Sequence, residues 1–236
     1  MSNSPNLKMP LLQAAQAQKH VTVNEALLRL DALAQITLQT VQTTTPPTLA
    51  TDGTCYGVPS GAVNEWSGHE GDIAIRTGGG WEFCSPEPGW KAWIVDASGH
   101  AMFDGTNWLI GATALSTNGA AMIHEIIETE HTLGTGATST IPNALPGATL
   151  VYGITGRVLS PLGGTLSTWR LGVSASSNRY GSNLGTNLGS WIRGLTYSPL
   201  TYYSDTDLLL TADGGNFDGG SIRLAIHTAI LTLPEI

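Results

Sequence analysis

Between positions 179 and 205 the chain gathers Arg179, Tyr180, Asn183, Asn187, Trp191, Arg193, Tyr197, Tyr202, Tyr203 and Asp205 in a glycine-rich stretch. Sugars are held by this mixture of side chains. Aromatic faces cover the C–H patches of a pyranose ring, and planar amide, guanidinium and carboxylate groups fix the directions of its hydroxyls. These residues are the candidate glycan-binding set. Trp191 and some of the tyrosines serve equally well as core side chains, and the two readings differ in what truncating Trp191 would do to stability. Binding through aromatic faces is expected to depend little on salt, because the chain offers few cations to an anionic glycan.

Catalytic patterns are weaker. Hydrolysis of a glycan needs two carboxylates flanking one bond. Asp205 and Asp207 lie two apart and would share a strand face, but a turn leading into Leu208, Leu209 and Leu210 accounts for both. Glu125, Glu128 and Glu130 stand beside His124 and His131 without a metal-ligand spacing, and read as a solvated linker or helix face. The segment 213–220, with Asp213 and Asp218 among glycines, offers oxygen ligands to a hard cation but lacks the full calcium-loop pattern with its terminal Glu, so a hairpin turn is expected. Cys55 and Cys84 form no close pair that would support a zinc site with His69 and His100. No nucleophile elbow or phosphate loop is present. The chain is read as a binding protein: no enzyme, no metal, no cofactor.

The elements that must carry these residues are mainly β. Only 12% of the 236 residues are charged and 29 are glycine, which suits many tight turns and uncharged polar surface rather than long solvated helices. A net charge of −8 argues against nucleic acid as a partner. The N-terminal stretch lacks a continuous apolar run, so neither an export signal nor membrane insertion is expected, and synthesis in the cytoplasm is.

Residues 1–48 read as a helical anchoring or oligomerisation segment. Thr22 and Glu25 have the form of a capping box. Val23, Leu27, Leu30, Ala34, Leu38 and Val41 then mark one stripe of a helix that must stop before the run Thr43–Pro47. A helix this short needs a partner surface, on its own chain or on a sister subunit. Residues 49–112 read as a small antiparallel β module whose core is built from Trp66, Trp81, Trp90, Trp93 and Trp108. Residues 113–140 read as a linker, and 141–236 as a β-sandwich or jelly-roll-like domain that would hold the glycan. Its final strand, within 222–233, carries Leu, Ile and Ala on both faces, which either a central position within one domain or burial by a neighbouring subunit explains.

The run Gln13–Thr22, the following Asn24–Leu27 and Leu30–Leu33, and the later Gly89-Trp90 and Phe103–Trp108 resemble a bacterial family of unknown-function domains, DUF2793-like, found in alphaproteobacterial prophages and gene transfer agents. The likeness covers about residues 7–112. The later runs 179–185 and 210–217 look like β domains at the distal ends of such fibres. The resemblance implies a head-spike or fibre protein on the surface of a virion or gene transfer agent. Such a protein would attach to host capsular polysaccharide, with capsid or spike-base proteins as partners and a homotrimer as the expected assembly. A stand-alone carbohydrate-binding module and a capsule depolymerase are the alternatives. No catalytic residues come with the family.

Overall fold

A computed structural model describes residues 3–12 and 19–234. It is mainly β and divides into two compact units, Met1–Gly119 and Ala120–Ile236. Residues 13–18 of the N-terminal motif lie outside the described residues.

In the first unit, helix α1 spans Lys19–Leu33. Thr22 therefore sits inside the helix rather than capping it. The expected stripe is not the buried one either: Val23 and Leu30 are exposed, whereas Asp31 and Ala32 turn inward. Leu38 leaves the helix altogether. It belongs to strand β1 (Thr37–Leu38), where its side chain is completely buried. Six further strands form one sheet with it: β2 (Cys55–Gly57), β3 (Ile73–Thr77), β4 (Gly80–Cys84), β5 (Lys91–Ile94), β6 (Gly99–Phe103) and β7 (Trp108–Ile110). The order is β4-β3-β2-β1-β5-β6-β7. β2-β3-β4 and β5-β6-β7 are antiparallel meanders, as the turn residues between them predict. β1 joins them by running parallel to both β2 and β5.

Two apolar clusters fill this unit. Leu38, Ile73, Ile75, Ile94, Phe103 and Trp108 pack under α1, while Tyr56, Trp66 and Trp81 form a trio with ring centroids 5.1–5.6 Å apart. The tryptophan-core expectation therefore holds for Trp66 and Trp108, but Trp93 stays on the surface, edge-on to His100.

Strand β8 (Ala112–Leu115) closes this stretch of chain. The second unit contains β9 (Ala121–Thr132), β10 (Thr135–Gly136), β11 (Thr138–Leu145), β12 (Thr149–Ser160), β13 (Thr168–Val173), β14 (Ser176–Leu184), β15 (Trp191–Tyr202), β16 (Thr206–Asp213), β17 (Phe217–Asp218) and β18 (Ser221–Leu231). The expected linker over 113–140 is thus corrected, since it is mostly strand. In β9 the outward positions Glu128 and Glu130 alternate with half-buried Ile127, Thr129 and His131, a strand period disguised by a polar inner face.

The unit is a β-sandwich. One sheet carries β15-β12-β18-β9 as neighbours and the other has the order β11-β16-β13-β14. Between them lie Val151, Ile154, Val158, Ile192, Ile222, Leu224 and Ile226 from the first, and Leu145, Trp169, Leu171, Leu208 and Leu210 from the second. At one side the two sheets are drawn together. A Cβ at Gly194 would stand 2.0 Å from the carbonyl oxygen of Tyr180, so only glycine lets β15 come this close to β14. The expectation that β18 is apolar on both faces is corrected: Ile222, Leu224 and Ile226 enter the core, whereas Arg223 and His227 alternate with them on the outer face, and the place between β12 and β9 pairs the strand's two edges.

Candidate functional site

Strand register brings the polar side chains of the first sheet into rows on its outer face, the one turned away from the core. Across β15, β12, β18 and β9 one row reads Trp191, Arg157, Arg223, Glu130. The next row, two residues along each strand, reads Arg193, Thr155, Ala225, Glu128. With strands roughly 4.8 Å apart, each row is roughly 14 Å long. Apart from Glu130, the residues of these rows line an open cleft of about 530 Å³, which is the size of small-ligand sites in general.

Trp191 opens β15 and is 63% exposed. The turn before it fixes its position: Gly189 takes φ +80°, its amide donates to the carbonyl of Val158, and the Val158 amide donates to the carbonyl of Ser190. Arg157 closes the same turn by donating from Nη1 to the Gly189 carbonyl at 2.8 Å. The guanidinium of Arg193 lies 5.7 Å from the Trp191 ring centroid. Arg223 is held by two acids of β9, with Nε 3.2 Å from Glu128 and a second contact to Glu130. The Thr155 hydroxyl lies 3.0 Å from His227 Nε2. The cleft thus offers an aromatic face, three guanidinium groups and a hydroxyl. Its two carboxylates share one arginine and do not face each other across open space.

The other sequence candidates do not converge here. The ends of β15, Trp191 and Tyr202, pair with Arg157 and Thr149, which stand roughly 26 Å apart at ordinary strand rise, so they cannot touch one sugar. Tyr180 and Tyr202 are core side chains, 1% and 8% exposed, whose hydroxyls meet at 2.7 Å. Burial and this bond push the Tyr180 phenol well above its ordinary range. Arg179 turns to the Tyr202 hydroxyl at 3.4 Å. Asn183 sits at φ +53° where β13 and β14 lose register, and Asn187 belongs to the turn before β15. Tyr203 is 90% exposed, but beyond the far end of β15. Tyr197 is a β15 residue whose side chain lies outside the described residues.

Asp205 accepts from the Gly147 amide and Asp207 from the Asn143 amide, each at 2.8 Å, so both serve as turn anchors. Asp213 is paired with Arg170 at 2.9 Å, and Asp218 accepts from the Thr135 hydroxyl at 3.0 Å. Among the described residues no three His, Cys, Asp or Glu side chains gather as a metal site. Burial, with Asp31 adding a smaller push, raises the Cys55 thiol to about 12, far from a nucleophile's range. Two members of the sequence-derived set, Trp191 and Arg193, therefore remain in the cleft. Arg157, Arg223, Glu128 and Thr155 join them, and no local sequence pattern marks those four as neighbours.

Residues 23–109 match a family model described as a protein of unknown function (DUF2793), the family that the N-terminal motif resembles. No curated protein matches the chain. A solved structure described as the cyanophage Pam1 capsid asymmetric unit matches with a TM-score of 0.31 and 20% identity, over 51% of this chain and 86% of its own. No helix among the described residues is long and apolar enough to cross a membrane.

Proposed function

We propose that the protein is a receptor-binding component, a head spike or fibre, of a phage-like particle or gene transfer agent, and that it attaches to host capsular polysaccharide through the Trp191 cleft. One observation carries the binding half of this reading. A large aromatic ring stands exposed at a strand start while guanidinium groups surround it, where a core role would have buried it. The particle half rests on the likeness of the N-terminal motif to the prophage and gene-transfer-agent family. Binding without cleavage suits a cleft whose carboxylates, Glu128 and Glu130, are both engaged by Arg223. A homotrimer on the particle surface would multiply a weak sugar affinity through effective concentration.

The test is adsorption of the purified chain to encapsulated and capsule-free cells. The wild type is expected to bind the encapsulated cells alone. Trp191→Ala is expected to lose attachment by about tenfold or more, with stability within about 0.5 kcal/mol of wild type because the ring is exposed. Equal adsorption to both cell types, or adsorption unaffected by the substitution, removes the reading. A monomer mass by light scattering removes the trimer from it.

A further inference from the structure

Residues 120–236 contain no lysine and five arginines, and three of the five, Arg157, Arg193 and Arg223, line this one cleft. In a chain of net charge −8 such a concentration is local and specific. Even counting both Glu128 and Glu130 against it, the cleft keeps more cations than anions. The arrangement also carries a repulsion. Arg157 lies directly opposite Arg223 in the β12–β18 ladder, and like charges facing each other across strands are unfavourable. The acids answer only one side of it, since Glu128 and Glu130 both turn to Arg223. Arg157 meets a backbone carbonyl and Arg193 meets an indole face, and neither is paired with a carboxylate among the described residues. Both of these cations without counter-ions are neighbours of Trp191: Arg157 is opposite it, and Arg193 lies two residues along the same strand.

Resting on the glycan-binding reading of the same cleft, we infer that its ligand is an acidic polysaccharide built from uronate residues. The pyranose ring of such a residue covers the Trp191 face while its carboxylate lies between Arg157 and Arg193. Guanidinium groups suit this task because their fixed fork matches the two oxygens of a carboxylate. A neutral glycan would leave both arginines without a counter-ion, and a polyanion lacking sugar rings would leave the indole face wet. The class of ligand follows from needing both at once. Salt-insensitive attachment, expected from the small number of cations in the chain, gives way here because the fold spends those cations on one place.

The full chain is titrated with alginate and polygalacturonate, with the carboxyl-reduced neutral form of each, and with polyglutamate. Binding is expected for at least one polyuronate, weakening about tenfold or more on carboxyl reduction and on replacement by polyglutamate. Arg193→Ala is expected to weaken polyuronate binding by about tenfold, to leave the carboxyl-reduced polymer unaffected and to leave thermal unfolding unchanged. Arg193→Lys, which keeps the charge without the fork, should recover part of the loss. Equal binding of native and reduced polymers overturns the inference, as does equal binding of polyglutamate, or no binding of either polyuronate. Should cells still be bound in a Trp191-dependent way while no polyuronate competes, the acidic class is wrong and the glycan-binding reading stands. If cell attachment itself is indifferent to Trp191, that reading fails first.

Discussion

The Asp31 carboxylate, 2% exposed, accepts from the Ser4 hydroxyl at 2.5 Å and from the Asn6 and Leu7 amides at 2.9 and 2.6 Å, and so ties the N-terminal segment to α1. Burial by itself would raise its titration, but the hydrogen bonds and the nearby Lys8 outweigh burial and hold it below the ordinary carboxylate range. Its contribution to stability is therefore complete above the unfolded value, about 3.9, and is lost as pH falls through the lower folded one. Asp31→Asn turns an amide donor toward backbone donors and should cost about 2 kcal/mol at pH 7. Urea unfolding at pH 7 and at about pH 2 checks it: the gap between wild type and variant should close in acid, and a gap that is the same at both would refute the assignment. Asp31 lies in the Leu30–Leu33 motif that carries the family likeness, yet nothing in its type or spacing marks it as buried. Of the sequence-derived set, Trp191 and Arg193 are the two that line the cleft, and an aromatic beside a cation in a glycine-rich stretch is a local signal. Tyr180 and Tyr202 present the same kind of signal and prove to be core, since exposure is decided by strand parity and by the approach of β14 to β15.

Elements with local turn chemistry were readable, and those with distant partners were not. The hairpins β3-β4 and β5-β6 are announced by Gly78-Gly79 and by Ser98-Gly99. β1 has no such announcement. Two residues long, it pairs in parallel with Cys55 on one side and with Trp93 and Ile94 on the other, and the apolar spacing before it extends the helix pattern across it. Its role as the join between two meanders makes Leu38 the most demanding position of the first unit. Leu38→Ala should cost about 2–5 kcal/mol, the range for leucine truncated in a closed core. Denaturant unfolding followed through the tryptophans of the first unit measures this, and a loss below about 1 kcal/mol would mean that the sheet does not depend on β1.

At the scale of the molecule, two compact units replace the expected series of anchor, module, linker and distal domain. Glu128 and Glu130, whose spacing reads as a solvated face, and Arg157 and Arg223, which no local pattern links, become neighbours only through the antiparallel register of β9, β12 and β18. That register has a further use. β18, the last strand of the second unit in chain order, occupies the middle of its sheet, so a chain ending at Gly220 would retain β12 and β9 with a slot one strand wide between them. Ile222, Leu224 and Ile226, all completely buried, are the side chains that fill it. The unit is in effect a two-piece lock whose key is an 11-residue peptide, Ser221–Leu231. Added to the shortened chain, that peptide should restore the emission of the fully buried Trp169, whereas a peptide with Leu224→Asp and Ile226→Asp should not. A shortened chain whose Trp169 emission is already native would show the slot closed without its key; an open one would let a short genetic tag govern when this sandwich assembles.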